Sequence, residues 1–265
     1  MINLKTAREI DLIARGGAII DGLLREVESR MVPGIASAEL DAFCDEYIRS
    51  HEGAVPAFKG LYGFPGSVCI SMNEEVVHGI PSRRRVLAEG DIVSIDVGVR
   101  LDGWCSDSAW TFPVGEVDEP TRELLRITEE ALERAIAVAR PGRHVGDIGA
   151  AVVGTVKGTG LGIIRELVGH GVGREVHEEP QVPNIGRSGY GPRLREGMVI
   201  AIEPMLSRGS DQVRTRSDQW TVVTADGSRS AHFEHTVAIT AEGPRVLTQP
   251  PVPVALGGGA RPETA

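Results

Sequence analysis

Apolar residues return every third or fourth position from Ile10 to Val27, at Ile10, Ile13, Ile19, Ile20, Leu23, Leu24 and Val27. That is the period of one buried face of an α-helix. Thr6 with Glu9 three residues on gives the capping-box pattern that starts such a helix, and Pro33-Gly34 stops it. A second helix opens at Ser37 and carries Leu40, Phe43, Tyr47 and Ile48. The period then changes. Pro56 to Pro65 reads as a loop, Ser67 to Met72 as a short strand, and Asn73 to Pro81 as a loop holding His78. Asp91 to Val99 is apolar and β-branched, as a buried strand should be, and Asp102-Gly103 is a hairpin turn leading into a second strand, Trp104 to Phe112. A two-residue turn pairs Asp96 with Ala109 and puts Asp107 on the same face, whereas a bulge would flip one of them. For this pair alone, two water-facing aspartates explain the pattern equally well.

The pattern restarts after Val117. Thr121 to Ala139 predicts a helix, Pro141-Gly142 breaks it, and Val145 to Val156 is again apolar at helical spacing. Pro33-Gly34 with Glu39-Leu40 recurs 108 residues on as Pro141-Gly142 with Asp147-Ile148. The run Glu89 to Asp96 recurs 107 residues on as Glu196 to Glu203, and Glu75-Val76-Val77-His78 is echoed by Arg174-Glu175-Val176-His177. Three echoes in one order imply a duplicated unit, with repeats near 4–115 and 118–245 inside a single domain, 1–249. The duplication sets Glu203 where Asp96 stands. Ser230 to Thr240 predicts one alternating strand, with Glu234 as a fourth inward carboxylate. From Pro244 onward the chain is Pro- and Gly-rich and predicts a mobile tail, with 250–265 outside the domain.

Composition narrows the partners. The 265 residues carry a net charge of −9 and a pI near 5.3, against a nucleic-acid or anionic-membrane partner as the main business. No apolar run reaches the length of a membrane span, and the N-terminus turns helical at once, unlike a signal peptide. Cys44, Cys69 and Cys105 are odd in number and widely spaced, which reads as reduced thiols of a cytoplasmic protein.

Four carboxylates cannot share an apolar cleft without cations, and a pair of bridged divalent metals is the economical solution. His170, in Gly169-His170-Gly171-Val172-Gly173, is the best imidazole to join them, because flanking glycines permit close backbone approach. Alone, it would read as a hydrogen-bonded core histidine. The set Asp96, Asp107, His170, Glu203 and Glu234 is oxygen-rich with one imidazole and suits Mn²⁺, Fe²⁺ or Co²⁺ better than a thiolate-rich zinc site. There is no GxSxG elbow, no second histidine to complete HExxH after His177, and no phosphate loop around His170. Cys69 lacks a neighbouring base and reads as a buried wall.

Gly66 to Pro81, Ser94-Ile95-Asp96-Val97-Gly98 with Ser106-Asp107, and Gly169 to Gly173 closely resemble type I methionine aminopeptidases. So do His177 to Asn184, Ile202-Glu203-Pro204-Met205 and Phe233-Glu234-His235-Thr236. The resemblance covers Leu4 to Gln249 with every motif in order. It implies the α+β pita-bread fold, two pseudo-symmetric halves around antiparallel sheet, and removal of the initiator methionine from nascent chains with a small second residue. It further implies two divalent ions, with Zn²⁺ and Ni²⁺ as further options, held by Asp96, Asp107, His170, Glu203 and Glu234. Asp107 and Glu234 would bridge, and the bridging water would attack the scissile carbonyl. Glu203 would also move a proton, His177 would stabilise the oxyanion, and His78 would contact the scissile amide or the backbone beyond it. Phe58, Leu61, Phe64, Cys69 and Trp220 would line the methionine slot. Leu61 stands where tyrosine is usual, and Val176 where many members are bulkier. The absence of a Cys/His-rich extension, and of the long insertion between Glu179 and Glu203, points to the short bacterial form, a monomer. Arg83, Arg84, Arg85, Arg208, Arg214 and Arg216 offer a contact to ribosomal RNA near the exit tunnel; plain solvated loops are the simpler reading. The competing readings are an Xaa-Pro peptidase of the same fold and a metal-free binding module.

Overall fold

The structure, a computed structural model, describes residues 1–249; the predicted tail at 250–265 lies outside them. Helix α1, Ala7–Glu28, starts where the capping box places it: the Thr6 hydroxyl accepts the Glu9 N–H, and the Glu9 carboxylate accepts the Thr6 N–H at 2.8 Å. Its buried face carries Ile13, Ile20, Leu23 and Leu24. Each such side chain contributes about 1.5–3 kcal/mol on burial. Helix α2, Ser37–Arg49, follows, and α1 lies across the hairpin formed by the strands Ile92–Leu101 and Trp104–Pro113. The turn residues Asp102 and Gly103 have φ of 51° and 77°, the left-handed values of a two-residue turn of the primed type. The register is the expected one, with Asp96 opposite Ala109 and Asp107 opposite Gly98. Cys69–Met72 and Ala54–Pro56 complete this sheet by pairing with Ile92–Leu101.

After it come α3, Glu119–Val138, and α4, Val145–Val156, packed on each other. A five-stranded antiparallel sheet runs Gly243–Val246, His235–Thr240, Val199–Ile202, Val168–Gly171, Glu178–Pro183. Two three-stranded sheets join distant segments: Met205–Ser207 lies between Ser230–His232 and Gly162–Ile163, and Val222–Thr224 lies between Val213–Thr215 and Glu75–Val77. One apolar core runs from Leu23 through Ile95 to Leu132, Ile148 and Ile200.

Local structure departs from expectation in five places. The strand expected from Ser67 begins at Cys69, because the backbone N–H groups of Ser67 and Val68 go to the Asp41 carboxylate instead of a ladder. The loop at 73–81 contains the strand Glu75–Val77, made by pairing with Val222–Thr224 far along the chain. Helix α3 starts before Thr121 because Asp118 caps it, its carboxylate accepting the Thr121 N–H at 2.9 Å. The strand expected from Ser230 to Thr240 breaks at Phe233-Glu234. There the Glu234 N–H donates to Ala109 O and the Ser108 hydroxyl donates to Glu234 O, turning the backbone toward the hairpin. Finally, the chain is ordered beyond Pro244: Gly243–Val246 is an edge strand, and the Leu247 N–H donates to Thr236 O. Among the described residues no helix is long and apolar enough to cross a membrane.

Candidate metal centre and substrate pocket

Asp96 and Asp107 project from adjacent strands, and their carboxyls lie close enough to share a hydrogen bond. The hairpin is stitched to the five-stranded sheet at this point. Thr236 accepts the Asp107 N–H at 3.0 Å and donates its hydroxyl to Asp107 O at 2.7 Å, which brings Asp107 beside Glu234. Glu203 does not sit within its strand as Asp96 does. It stands one residue beyond Val199–Ile202, held by Asn184, whose amide donates to Glu203 O at 3.0 Å. The register His235 opposite Ile202 continues to place Glu203 next to Glu234.

His170 reaches the same point from Val168–Gly171, threaded between two strands. A Cβ on Gly169 would lie 2.3 Å from Ala201 O, and one on Gly171 would lie 2.2 Å from Glu179 O, so only glycine fits on either side of the histidine. His170 Nδ1 lies 3.0 Å from Gly171 O, an acceptor only, so the proton sits on Nδ1. Nε2 is left facing Glu203 at 3.6 Å and Asp107 at 3.8 Å.

Two groups of ligand atoms lie within 4.8 Å of one another: Asp107, His170 and Glu234, and Glu203, His232 and Glu234. Asp96 belongs to neither group and enters through Asp107. Among the described residues no lysine or arginine pairs with any of these carboxylates. Burial, then the neighbouring negative charges, pushes the Asp107 and Glu234 carboxyls well above the usual range. Burial and the Glu203 charge bring Asp96 to about 7, even with a histidine nearby. Asp96 Oδ1, Asp107 Oδ1, Glu234 Oε1 and both His232 ring nitrogens are buried without hydrogen-bond partners among the described residues. Groups of this kind are expensive to bury unpaired, and a divalent cation is the partner that satisfies oxygen and imidazole together. The residues present fit such an ion.

The cluster floors a cavity of about 260 Å³ whose lining includes every one of the twelve residues singled out from the sequence. Phe58, Phe64 and Cys69 are buried in its wall, Leu61 and Trp220 are half-buried, and Phe64 meets Trp220 edge-on at 5.2 Å. Burial holds the Cys69 thiol protonated. His78, in a left-handed conformation (φ 59°), sits edge-on to Trp220 at 6.4 Å. Burial lowers its pKa. At the mouth, His177 stands 4.4 Å from the His170 ring; although the residue is exposed, partial desolvation of its ring, then that neighbour, brings it down to about 4. Both rings are therefore neutral at pH 7. Val176, the other pocket departure, is buried in the same apolar cluster but does not line the cavity.

Sequence reasoning missed Tyr62, Val77, Leu167, Val168 and His232 in the lining. Tyr62 is exposed and stacks over His177 at 6.0 Å. His232 could have been found: it lies two residues before Glu234, hence on the same face of the expected strand.

Residues 11–241 match metallopeptidase family M24. Methionine aminopeptidase 1 of Bacillus subtilis is 47% identical over 249 residues, covering 94% of this chain and 100% of the relative. The crystal structure of a methionine aminopeptidase from Thermotoga maritima superposes with a TM-score of 0.92 at 47% identity, over 94% of this chain and 100% of that one. The prolidase from Pyrococcus furiosus gives a TM-score of 0.74 at 26% identity, over 93% of this chain but only 65% of its own. The shared architecture is the pita-bread fold.

Proposed function

Because the chain belongs to metallopeptidase family M24, we propose that it removes the initiator methionine from nascent proteins whose second residue is small. The observation that carries this reading is the joining of two features. A cluster of carboxylates and imidazole that no lysine or arginine among the described residues neutralises opens directly into an apolar cavity sized for one side chain. At about 260 Å³ the cavity is slightly smaller than the ~300 Å³ at which drug-sized sites begin.

Asp96, Asp107, His170, Glu203 and Glu234 would hold two divalent ions, Mn²⁺, Fe²⁺ or Co²⁺, with Asp107 and Glu234 serving both. Such ions, when bound, lower the pKa of a water toward neutrality and polarise the scissile carbonyl. The chain's own residues do the rest. Phe58, Leu61, Phe64, Cys69 and Trp220 enclose the thioether and exclude water from it. Glu203 takes a proton from the attacking water on a side-chain oxygen and passes it to the departing amine. Neutral His177, beside His170 at the mouth, donates a hydrogen bond to the carbonyl oxygen as negative charge grows there. Neutral His78 faces the scissile amide across the cavity. The exposed His177 and Tyr62 at the opening leave the second residue little enclosed volume.

The reaction would take place in the cytoplasm on a monomer, in keeping with three buried free thiols. Of the six arginines offered to ribosomal RNA, Arg85, Arg208 and Arg216 already pair with carboxylates. Ribosome contact would rest on Arg83, Arg84 and Arg214; co-sedimentation unchanged by neutralising these three would remove it. For the activity itself, metal-stripped protein should release free methionine from Met-Ala-Ser only after metal is restored. Asp107→Asn should not. Binding of metal without release would defeat the reading.

A further inference from the structure

We propose that His232 is an additional ligand of the metal centre, supplying a second imidazole nitrogen beside Glu203 and Glu234. The proposal rests on the metal-centre reading above and adds a residue that the family resemblance does not assign. His232 is 2% exposed, and neither ring nitrogen has a hydrogen-bond partner among the described residues. A buried neutral imidazole normally satisfies both its donor and its acceptor, so a ring with neither is waiting for something.

Geometry says what. His232 Nε2 stands 3.5 Å from Glu203 Oε2 and 3.8 Å from Glu234 Oε2. His170 Nε2 stands at 3.6 and 3.8 Å from its own two carboxylates. The two imidazoles therefore have the same relation to the cluster. Two donors on one ion at ~2.1 Å lie about 3.0–3.4 Å apart, within a small side-chain adjustment of both sets. The Glu203 carboxylate lies between them, Oε1 toward His170 and Oε2 toward His232. The backbone fixes this placement: the His232 N–H donates to Thr111 Oγ1 at 2.9 Å, and the Thr111 hydroxyl donates to His232 O at 2.7 Å. Pinned at both backbone groups in a buried strand, the ring cannot swing out to water. A second nitrogen would also shift the site toward imidazole-favouring ions and away from Mg²⁺ or Ca²⁺.

The test loads metal-stripped full-length protein with Mn²⁺ and counts imidazole nitrogens by pulsed EPR, alongside calorimetric Co²⁺ titration. Wild type, His232→Ala and His232→Gln are compared, each with its apo melting temperature as the control for folding. Two coupled imidazoles in wild type and one in His232→Gln, with Co²⁺ affinity down about tenfold to a hundredfold, is the expected result. One imidazole in wild type, or wild-type Co²⁺ affinity in His232→Gln, overturns the proposal and leaves His232 a buried neighbour of Glu203. Absence of any metal binding in wild type would instead bring down the metal-centre reading and this proposal with it.

Discussion

Glu75 and Glu234 are both buried carboxylates, 3% and 2% exposed, about as costly to place in a protein as any side chain. The chain treats them in opposite ways. Around Glu75 it supplies everything: Arg85 pairs with Oε2, Arg216 donates to Oε1 at 2.6 Å, and the Met72 N–H donates to Oε2 at 2.8 Å. Arg216 also reaches Glu74 at 2.6 Å. This network ties the segment carrying His78 to the loop between Val213–Thr215 and Val222–Thr224 that carries Trp220, so it holds two pocket walls together. Around Glu234 no lysine or arginine among the described residues is supplied, and three more carboxylates stand nearby. Where the chain needs a fixed scaffold it neutralises its own charge. Where, on the proposed reading, it needs chemistry, it leaves the charge for an ion from solution.

That contrast can be broken most sharply at Asp107. Asp107→Asn should cut methionine release from Met-Ala-Ser by about a thousandfold or more while the apo protein melts no lower than wild type, since one repelling charge has gone. A fall in apo melting temperature would mean that the cluster is scaffold after all. Glu75→Gln should do the reverse. It leaves two guanidiniums against a half-satisfied amide and should cost about 3 kcal/mol in urea unfolding, with metal stoichiometry unchanged. Metal itself should act on one region only: each ion bound at a hundred times its dissociation constant should stabilise wild type by about 2.7 kcal/mol. Glu75→Gln should gain as much and Glu234→Gln clearly less, read by thermal shift with and without chelator.

The smallest effect belongs to Asp45, a more exposed version of the Glu75 arrangement. Burial pushes its carboxyl up, but hydrogen bonds from Arg49, Ser67 and Lys59 outweigh it and bring the group to about 2. A depressed folded value means the stabilisation is complete above the unfolded value near 3.8 and is lost as pH falls through about 2. Asp45→Asn should therefore cost about 0.5–1 kcal/mol at neutral pH, a cost that shrinks as pH falls from 3.8 and disappears below about 2. A cost independent of pH would assign the effect to packing at Ser67.

Much of this was legible in the chain itself. Helices α1, α2 and α4 follow from 3.6-residue periodicity and local stop signals, and the register of the Asp96/Asp107 hairpin follows from a two-residue turn. These depend on neighbours in sequence. The repeated run ending at Asp96 and Glu203 marked both as members of one site, although Glu203 proved to stand just past its strand.

What the sequence determined, then, is the set of elements and the residues able to carry chemistry, because side-chain period, turn type and charge are properties of short segments. Tertiary structure alone decided the rest. It made Glu75–Val77 a strand through a partner nearly 150 residues away, and it broke the strand before His235 so that Glu234 could bond to the hairpin. It also stationed His232 opposite Glu203 and gave Glu75, but not Glu234, its cations. Each of these depends on which distant backbone is within ~3 Å, and no local pattern encodes that distance.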